Sequence, residues 1–239
     1  MTYNLQGIVR KATSNITAEF DRLAYATQNI ANINTNGYKA VRFEDIIDAD
    51  GSVHGVERVD CSVGDYMITN NPLDIALQGA GYIPVTTPQG EIRYTRDGSL
   101  MKNKEGYLVT KTGDLIGSGI KIDGACEKVS IKENGDVYTY LTLTSEPEYV
   151  GTIPLVQFEN PEALKDVGGN EFIATENSGA MKLVEDHKYI KQYGIERSNL
   201  DVVSEVYTVS RITASLLASS SLMKTVSSMY DTMFNNMSS

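Results

Sequence analysis

The sequence predicts an α+β fold, in which a coiled-coil-like pair of N- and C-terminal helices flanks an inserted, mostly antiparallel β domain. Of the 20 glycines, only Gly7 precedes Gly37 and none follows Gly194, and the six prolines lie between Pro72 and Pro161. Because both residue types disfavour helix interiors, long helices are expected only at the two ends of the chain. Apolar residues at the ends recur in alternating steps of four and three, whereas in the middle they alternate every second residue, as in strands.

The N-terminal helix is predicted from a row of apolar positions that are spaced as in a heptad repeat. A sustained period of 3.5 residues is typical of a helix that packs against other helices rather than on a sheet. Glu19 is the single charged member of this row. The row consists of Leu5, Val9, Ala12, Ile16, Glu19, Leu23, Ala26, Ile30 and Ile33.

The C-terminal helix fits the same template, with Glu205 and Ser219 as polar exceptions. Four of the eight methionines fall within its last 17 residues, and methionine adapts well to irregular packing surfaces. Two interpretations of the two helices are open: they pack together within one chain, or their remaining faces also bind other copies in an assembly. The C-terminal row consists of Val202, Glu205, Val209, Ile212, Leu216, Ser219, Met223, Val226, Tyr230, Met233 and Met237.

The middle of the chain is predicted to form short antiparallel strands. Residues 131–141 carry alternating apolar side chains around Asn134-Gly135, a dipeptide that favours a two-residue hairpin turn. The spacing of further turn dipeptides, seven to eight residues, is typical of a meander or a small barrel. These dipeptides are Asp97-Gly98, Glu105-Gly106 and Thr112-Gly113.

These patterns divide the chain into three parts. Residues 1–36 and 196–239 are expected to form one helical domain, residues 37–71 a connecting extended segment, and residues 72–195 a β-rich domain. The two ends together carry no net charge, so the formal charge of −10, from 31 acidic and 21 basic residues, belongs to residues 37–195. Because a nucleic-acid-binding protein carries a basic face, we expect no nucleic-acid partner.

No catalytic, cofactor-binding or metal-binding residues are predicted. His54 and His187 are far apart and lack the spacing of a zinc site, and Cys61 and Cys126 are too few for a disulfide framework. The glycine-rich run at residues 79–81 precedes another strand-like segment rather than a helix, which argues against a nucleotide-binding loop. We therefore expect no cofactor and no enzymatic activity.

Five short motifs, in order along the chain, resemble segments of bacterial flagellar axial proteins. ANINTNGYK, which ends at Lys39, is similar to the end of the N-terminal helix in that family, and PLDIALQGAGY, which begins at Pro72, to a pair of strands. YTRDGS resembles a turn of the family, GYLVT a strand, and SNLD the entry to the C-terminal helix. The motif residues that carry the resemblance are Ala31, Asn32, Thr35, Gly37, Tyr38, Lys39, Pro72, Leu73, Asp74, Tyr94, Arg96, Asp97, Gly98, Ser198, Asn199 and Asp201.

The resemblance implies a structural subunit of the rod in the flagellar basal body. It implies that the terminal helices polymerise into the inner tube of a helical array, with the β domain as the outer layer, and that this drive shaft transmits torque from motor to hook. The short β region favours a rod subunit over a hook-type axial subunit, whereas proximal and distal rod positions stay open. A coiled-coil adaptor and a peptidoglycan-active protein are alternatives of other classes, and the ordered motifs favour the rod.

The resemblance also implies partners and a location. The partners are further copies of the chain, other rod and hook proteins, the surrounding ring proteins and the flagellar type III export apparatus. The location is the part of the basal body that spans the periplasm. We expect export without a cleaved signal peptide, because charged residues from Arg10 to Arg22 interrupt the apolar N-terminus and no apolar run approaches the roughly 18 residues that span a bilayer.

Several motif residues have expected local roles. Gly37 is expected just after the end of the first helix, and Ser198 or Asn199 is expected to cap the second helix, with Asp201 near its positive end. Arg96 is expected to stack or pair across a hairpin. The predicted assembly interface is the apolar part of the two heptad rows: Leu5, Val9, Ile16, Leu23, Ile30, Ile33, Val209, Ile212, Leu216, Met223, Val226, Tyr230 and Met233.

Overall fold

A computed structural model describes residues 5–49, 51–185 and 188–237 of the chain. It confirms the α+β class, with a long helix at each end and antiparallel strands between them. Two short 3-10 helices, Pro161–Ala163 and Glu176–Ser178, interrupt the strands. The helices and strands are α1 (Leu5–Ala31), β1 (Val41–Ile47), β2 (Val53–Val59), β3 (Tyr66–Ile68), β4 (Ile75–Leu77), β5 (Ile83–Thr86), β6 (Ile92–Thr95), β7 (Met101–Lys102), β8 (Leu108–Val109), β9 (Leu115–Ile116), β10 (Lys128–Ile131), β11 (Asp136–Tyr140), β12 (Glu148–Thr152), β13 (Val156–Gln157), β14 (Lys165–Gly168), β15 (Glu171–Ile173), β16 (Lys182–Leu183), β17 (Ile190–Gln192), β18 (Gly194–Glu196) and α2 (Val202–Met237).

The chain divides into two compact units, each built from separate stretches of sequence. Unit 1 comprises Met1–Ala31, Val41–Val59 and Leu200–Ser239. Unit 2 comprises Asn32–Ala40 and Asp60–Asn199. The helices and the first hairpin therefore belong to unit 1, and the described strands from β3 to β18 belong to unit 2.

In unit 1, α1 and α2 pack antiparallel to each other. The Ser215 hydroxyl donates to Glu19 Oε1 at 2.9 Å, and the Asn29 side-chain amide donates to Glu205 Oε1 at 2.9 Å. Because the higher number on α1 pairs with the lower number on α2, the two helix directions must be opposite. Both heptad rows face this contact: their members are buried or half-buried from Val9 to Ile30 on α1 and from Glu205 to Val226 on α2.

The hairpin of β1 and β2 runs along α1 in the same unit. Its strands pair in antiparallel register from Val41 opposite Val59 to Ile47 opposite Val53. The Phe43 ring stacks on the ring of Tyr25 with centroids 5.5 Å apart. This hairpin fills much of the 37–71 stretch, so that stretch contains paired strands as well as connecting backbone.

Unit 2 contains a seven-stranded antiparallel sheet in the order β14-β15-β6-β5-β9-β8-β7 and a three-stranded sheet in the order β10-β11-β12. The predicted hairpin is confirmed, since β10 and β11 pair around Asn134-Gly135 and Gly135 has a φ of +91°. The smaller pairs of unit 2 are β13 with β16, β17 with β4 and β18 with β3. The main core consists of Ile75, Leu77, Ile83, Val85, Leu100, Leu108, Ile116, Ile120, Ile122, Val129, Ile131, Val137, Ile153, Leu155 and Ile190.

Two expectations about the ends of the helices are wrong. The first helix ends at Ala31, so Gly37 is not its C′ residue and Ile33 lies beyond the helix. The cause is a turn directly after Ala31, in which the Thr35 N–H donates to the Asn32 carbonyl at 3.0 Å. The second helix is capped by Asp201, whose Oδ1 accepts from the Val203 N–H at 3.1 Å, because the Asn199 side chain is engaged elsewhere.

Candidate functional site

Three charged side chains of unit 2 meet in the protein interior, and we call them the Glu196 cluster: Lys39, Arg96 and Glu196. Each is at most 2% exposed. Lys39 Nζ donates to Glu196 Oε1 at 2.6 Å and also to the Ser62 carbonyl. Arg96 Nε donates to Glu196 Oε2 at 2.9 Å, and the Gly64 N–H donates to Glu196 Oε1 at 2.8 Å. Both carboxylate oxygens are thus engaged with buried donors.

Arg96 also binds the backbone of the segment between β4 and β5. Its terminal nitrogens donate to the carbonyls of Gly81 at 2.6 Å, Gly79 at 3.1 Å and Leu77 at 3.2 Å. Arginine suits this place because its planar guanidinium presents several donors in a fixed geometry. Its guanidinium carbon also lies 5.9 Å from the centroid of the Tyr82 ring, across the hairpin of β5 and β6, so the expected stacking is present. The backbone carbonyls and Glu196 are further contacts of Arg96 that were not predicted.

The Glu196 cluster holds two cations and one carboxylate. Burial lowers the pKa of Lys39, the neighbouring Arg96 adds to this effect, and the contact with Glu196 opposes it. Removing water from charges is costly, so such a cluster is tolerated only when every charge is hydrogen-bonded. Its chemical role is structural: the cluster fixes the relative positions of the backbone segments that contribute to it.

Gly37 brings the first motif against the third. Its φ is +67°, and a Cβ built on it would lie 2.6 Å from both the carbonyl carbon and the carbonyl oxygen of Arg96. Its N–H donates to the Glu196 carbonyl at 2.8 Å. Only glycine tolerates both the left-handed conformation and this close backbone approach, which explains the residue type at this motif position.

Asn199, from the last motif, holds the same region together. Its Oδ1 accepts from the Ala40 N–H at 2.8 Å, and its Nδ2 donates to the Asp60 carbonyl at 2.8 Å. The Asn199 N–H donates to the Tyr38 carbonyl at 3.4 Å. The segment that follows α1 in the chain and the segment that precedes α2 are therefore bonded to each other inside unit 2.

Other motif residues support the strands around the cluster. A Cβ on Gly98 would lie 1.8 Å from the Ile75 carbonyl oxygen, and Asp74 accepts from the Asn71 side-chain amide at 2.8 Å. Tyr94 packs edge-to-face on Phe158 with ring centroids 4.8 Å apart. The remaining motif residues lie in turns or at strand ends of this unit or at its borders with the helices: Ala31, Asn32, Thr35, Pro72, Leu73, Asp97 and Ser198.

The predicted assembly residues divide by exposure. Ile212 and Val226 are buried in unit 1, and Tyr230 is exposed. Val9, Ile16, Leu23, Ile30, Val209, Leu216 and Met223 are half-buried, as is Ile33 in unit 2. The side chains of Leu5 and Met233 lie outside the described residues.

A second apolar face remains exposed on α2, and we call it the outer face: Val203, Val206, Tyr207 and Leu217. Val203 is 80% exposed, Tyr207 68% and Leu217 66%. Val203 is nine residues from the buried Ile212, which is about two and a half helical turns, so it lies on the opposite side of α2. The predicted assembly interface lies on the heptad rows, and the outer face was not predicted because its members are spaced by three, one and ten residues and form no heptad row.

Glu196 was also missed by sequence reasoning. It lies two residues before the first residue of the SNLD motif, and its neighbours in space are two cations that the motifs had already identified. The presence of two cations, Lys39 and Arg96, among the motif residues is the signal that could have pointed to a shared acid.

The described part of the chain gives no sign of a metal or membrane-spanning site. It has no group of three or more His, Cys, Asp or Glu side chains placed to hold a metal ion. Neither described helix combines the length and apolar character that crossing a membrane requires. Cys61 and Cys126 are half-buried, and no disulfide bond joins them in the described part of the chain.

Comparison with known proteins connects this geometry to a family. The family model described as "Flagellar hook protein FlgE/F/G D1 domain" matches residues 76–139. The chain is 32% identical over 228 residues to the flagellar basal-body rod protein FlgG of Caulobacter vibrioides, covering 83% of this chain and 87% of that protein. It is 29% identical over 224 residues to FlgG of Agrobacterium fabrum (82% and 86%) and 28% identical over 229 residues to the flagellar basal-body rod protein FlgF of Mesorhizobium japonicum (88% and 89%). The chain therefore belongs to the flagellar basal-body rod protein family.

Proposed function

We propose that this chain is a structural subunit of the flagellar rod and that it polymerises through its two terminal helices into the shaft that carries torque from motor to hook. Family membership supports the rod assignment. The outer face of α2 is the observation that carries the polymerisation step, since large apolar side chains stay exposed there after the helices have packed on each other. Large apolar side chains that stay exposed on one helix face are typical of protein–protein contacts.

In the proposed array, the outer face binds the helices of neighbouring copies. Each contact joins two different surfaces with a rotation between copies that does not close into a ring, so the assembly grows as a helical tube. The residues of the terminal segments 1–36 and 196–239 carry no net charge together, so their close packing around an axis meets little repulsion. Burial of apolar area at about 25 cal/mol per Å² over several neighbours stiffens the shaft without covalent links.

The proposal includes further partners and a location. In addition to its own copies, the chain contacts other rod and hook proteins along the shaft, and unit 2 faces the surrounding rings in the periplasm. Its role requires no catalysis. The family resemblance supports delivery by the flagellar type III export apparatus without cleavage of a signal peptide. N-terminal sequencing of the chain from purified basal bodies tests this.

The decisive experiment replaces an outer-face residue and follows incorporation into hook–basal bodies. Leu217→Glu places a charge on the outer face, and we expect its amount in purified hook–basal bodies to fall at least about tenfold, with loss of swimming, since each 1.4 kcal/mol of contact energy is a factor of ten. The matched control is Leu143→Glu, the same change at a leucine of unit 2 that is 75% exposed. We expect this control to incorporate normally.

Circular dichroism of both purified variants shows whether they keep the helices. Normal incorporation of folded Leu217→Glu would contradict polymerisation through the outer face. Loss of incorporation by Leu143→Glu alone would also contradict it, because the essential contact would then lie on unit 2.

A further inference from the structure

Unit 2 buries a pair of carboxyl groups that has no part in the proposed assembly. Asp114 precedes β9 and is 4% exposed, and Glu171 begins β15 and is 2% exposed. A single hydroxyl lies between them: Thr112 Oγ1 is 2.7 Å from Asp114 Oδ2 and 2.8 Å from Glu171 Oε1. Thr110 Oγ1 lies 2.6 Å from the same hydroxyl.

If both carboxyl groups are ionised, the Thr112 hydroxyl has too few protons for its contacts with Asp114 and Glu171. The Thr112 hydroxyl has one proton and can donate it to one carboxylate only. The other contact would then place a carboxylate oxygen against hydroxyl lone pairs at hydrogen-bond distance, which is repulsive. A proton on one carboxyl group removes this conflict, because that group then donates to Thr112 while Thr112 donates to the other.

We propose that Asp114 and Glu171 share one proton in the folded protein, and that its loss at higher pH releases the turn at residues 110–114 from β15. The shared proton makes this contact a pH-sensitive latch within unit 2. The turn itself is closed by the Gly113 N–H, which donates to the Thr110 carbonyl at 3.0 Å, and by the Asp114 N–H, which donates to Thr110 Oγ1 at 3.1 Å.

The charges around the pair are consistent with this proposal. Arg93 on β6 donates to Glu171 Oε2 at 3.1 Å and is shared with the exposed Glu91 at 2.8 Å, so it only partly compensates for a second negative charge. Lys111 on the turn pairs with Asp97 at 3.6 Å. Burial raises the pKa of Glu171, and the contact with Asp114 raises it further, while Thr112 and Arg93 act in the opposite direction.

The direction of the pH effect follows from linkage. The folded protein holds the proton more tightly than the unfolded turn, so the latch is most stable below the ordinary pKa of Glu171 and weakens as pH rises from there through the raised pKa of Glu171 in the folded protein. One proton gives a change of up to tenfold in the opening equilibrium per pH unit within that window. Thr110 Oγ1, which accepts from the Asp114 N–H, also contacts the Thr112 hydroxyl, so amide hydrogen exchange at Asp114 and at the neighbouring Gly113 reports the loss of this network.

The experiment measures protection factors of these two amides in the full chain from pH 5 to pH 8, corrected for the intrinsic pH dependence of exchange. We expect protection in the unmodified chain to fall by up to tenfold per pH unit over part of this range. Glu171→Gln is expected to give constant protection, because its amide donates to Thr112 at every pH. Glu91→Gln, which removes the other partner of Arg93, is the matched control and keeps the slope.

Two results would overturn the proposal. Constant protection in the unmodified chain would show that Thr112 serves two ionised carboxylates in a three-centre bond. A slope in Glu171→Gln equal to that of the unmodified chain would show that another group titrates. Should Glu171→Gln fail to fold, Asp114→Asn supplies the donor from the other side of Thr112 and is expected to give the same constant protection.

Discussion

The side chain of Glu196 lies between two buried cations. Replacing it should therefore lower the stability of the folded protein more than replacing an exposed acid does. Glu196→Gln keeps the size and shape of the residue but leaves Lys39 and Arg96 facing an uncharged amide, whose NH₂ group points a donor at one of them. Removing one partner of a buried ion pair typically costs about 3–5 kcal/mol, and we expect a loss of this size in the free energy of unfolding of unit 2. Urea unfolding followed by near-ultraviolet circular dichroism of the tyrosines measures it.

The control for this prediction is Glu159→Gln, which breaks the ion pair of Glu159 with Lys182, two residues that are both exposed. Exposed pairs contribute little to stability, so the urea midpoint of the control should not move. If Glu196→Gln also left the midpoint unchanged, a neutral acceptor would serve both cations equally well, and the structural role assigned to the Glu196 cluster would be wrong.

At the scale of elements, Asn29 joins three pieces of unit 1. Its Nδ2 donates to the Val41 carbonyl and to Glu205 Oε1, and its Oδ1 accepts from the Val41 N–H, each at 2.9 Å. Asn29→Ala leaves these partners without their bonds in a part-buried position, so we expect unit 1 to lose about 1–3 kcal/mol of stability. Far-ultraviolet circular dichroism during urea unfolding gives the value.

Thr27→Ala is the neighbouring control, since the Thr27 hydroxyl is exposed and bonds only to the Leu23 carbonyl of its own helix. It should change the stability of unit 1 by less than about 0.5 kcal/mol. Equal losses of stability in Asn29→Ala and Thr27→Ala would mean that the contacts of Asn29 with β1 and α2 do not hold the hairpin and the helices together.

The elements that could be predicted are those with a local cause. The heptad rows predicted which face of each helix is covered, and the dipeptide Asn134-Gly135 predicted a hairpin, because each pattern is written within a few turns or residues. The end of α1 at Ala31 was not predicted, because Ile33 continues the heptad row into the turn that the Thr35 N–H closes on the Asn32 carbonyl. Glu196 was missed for a different reason: its partners Lys39 and Arg96 are 157 and 100 residues away in sequence.

For the whole molecule, the two units differ in how much apolar surface they bury. Among the described residues of unit 1, the buried apolar side chains are Ala12, Ala18, Ala26, Ile212 and Val226, three of which are alanines. Unit 2 buries a continuous cluster of large aliphatic side chains and a second cluster around Tyr82 and Phe158. Because helices owe most of their stability to packing, unit 1 should be the weaker unit in an isolated chain.

We therefore expect the isolated chain to unfold in two steps. The helical signal at 222 nm should fall at a lower urea concentration than the near-ultraviolet signal of the tyrosines, most of which lie in unit 2. Ile83→Ala, in the core of unit 2, should lower only the second midpoint, by the equivalent of about 2–5 kcal/mol. Binding to other copies stabilises the unit that makes the contact, which is unit 1 in the proposed array. In assembled protein, the midpoint of the first step should therefore move to a higher urea concentration, while the midpoint of the second step stays unchanged. Coincident transitions at both wavelengths, or an equal shift of both steps on assembly, would show that the two units fold as one and that the helices gain nothing specific from the array.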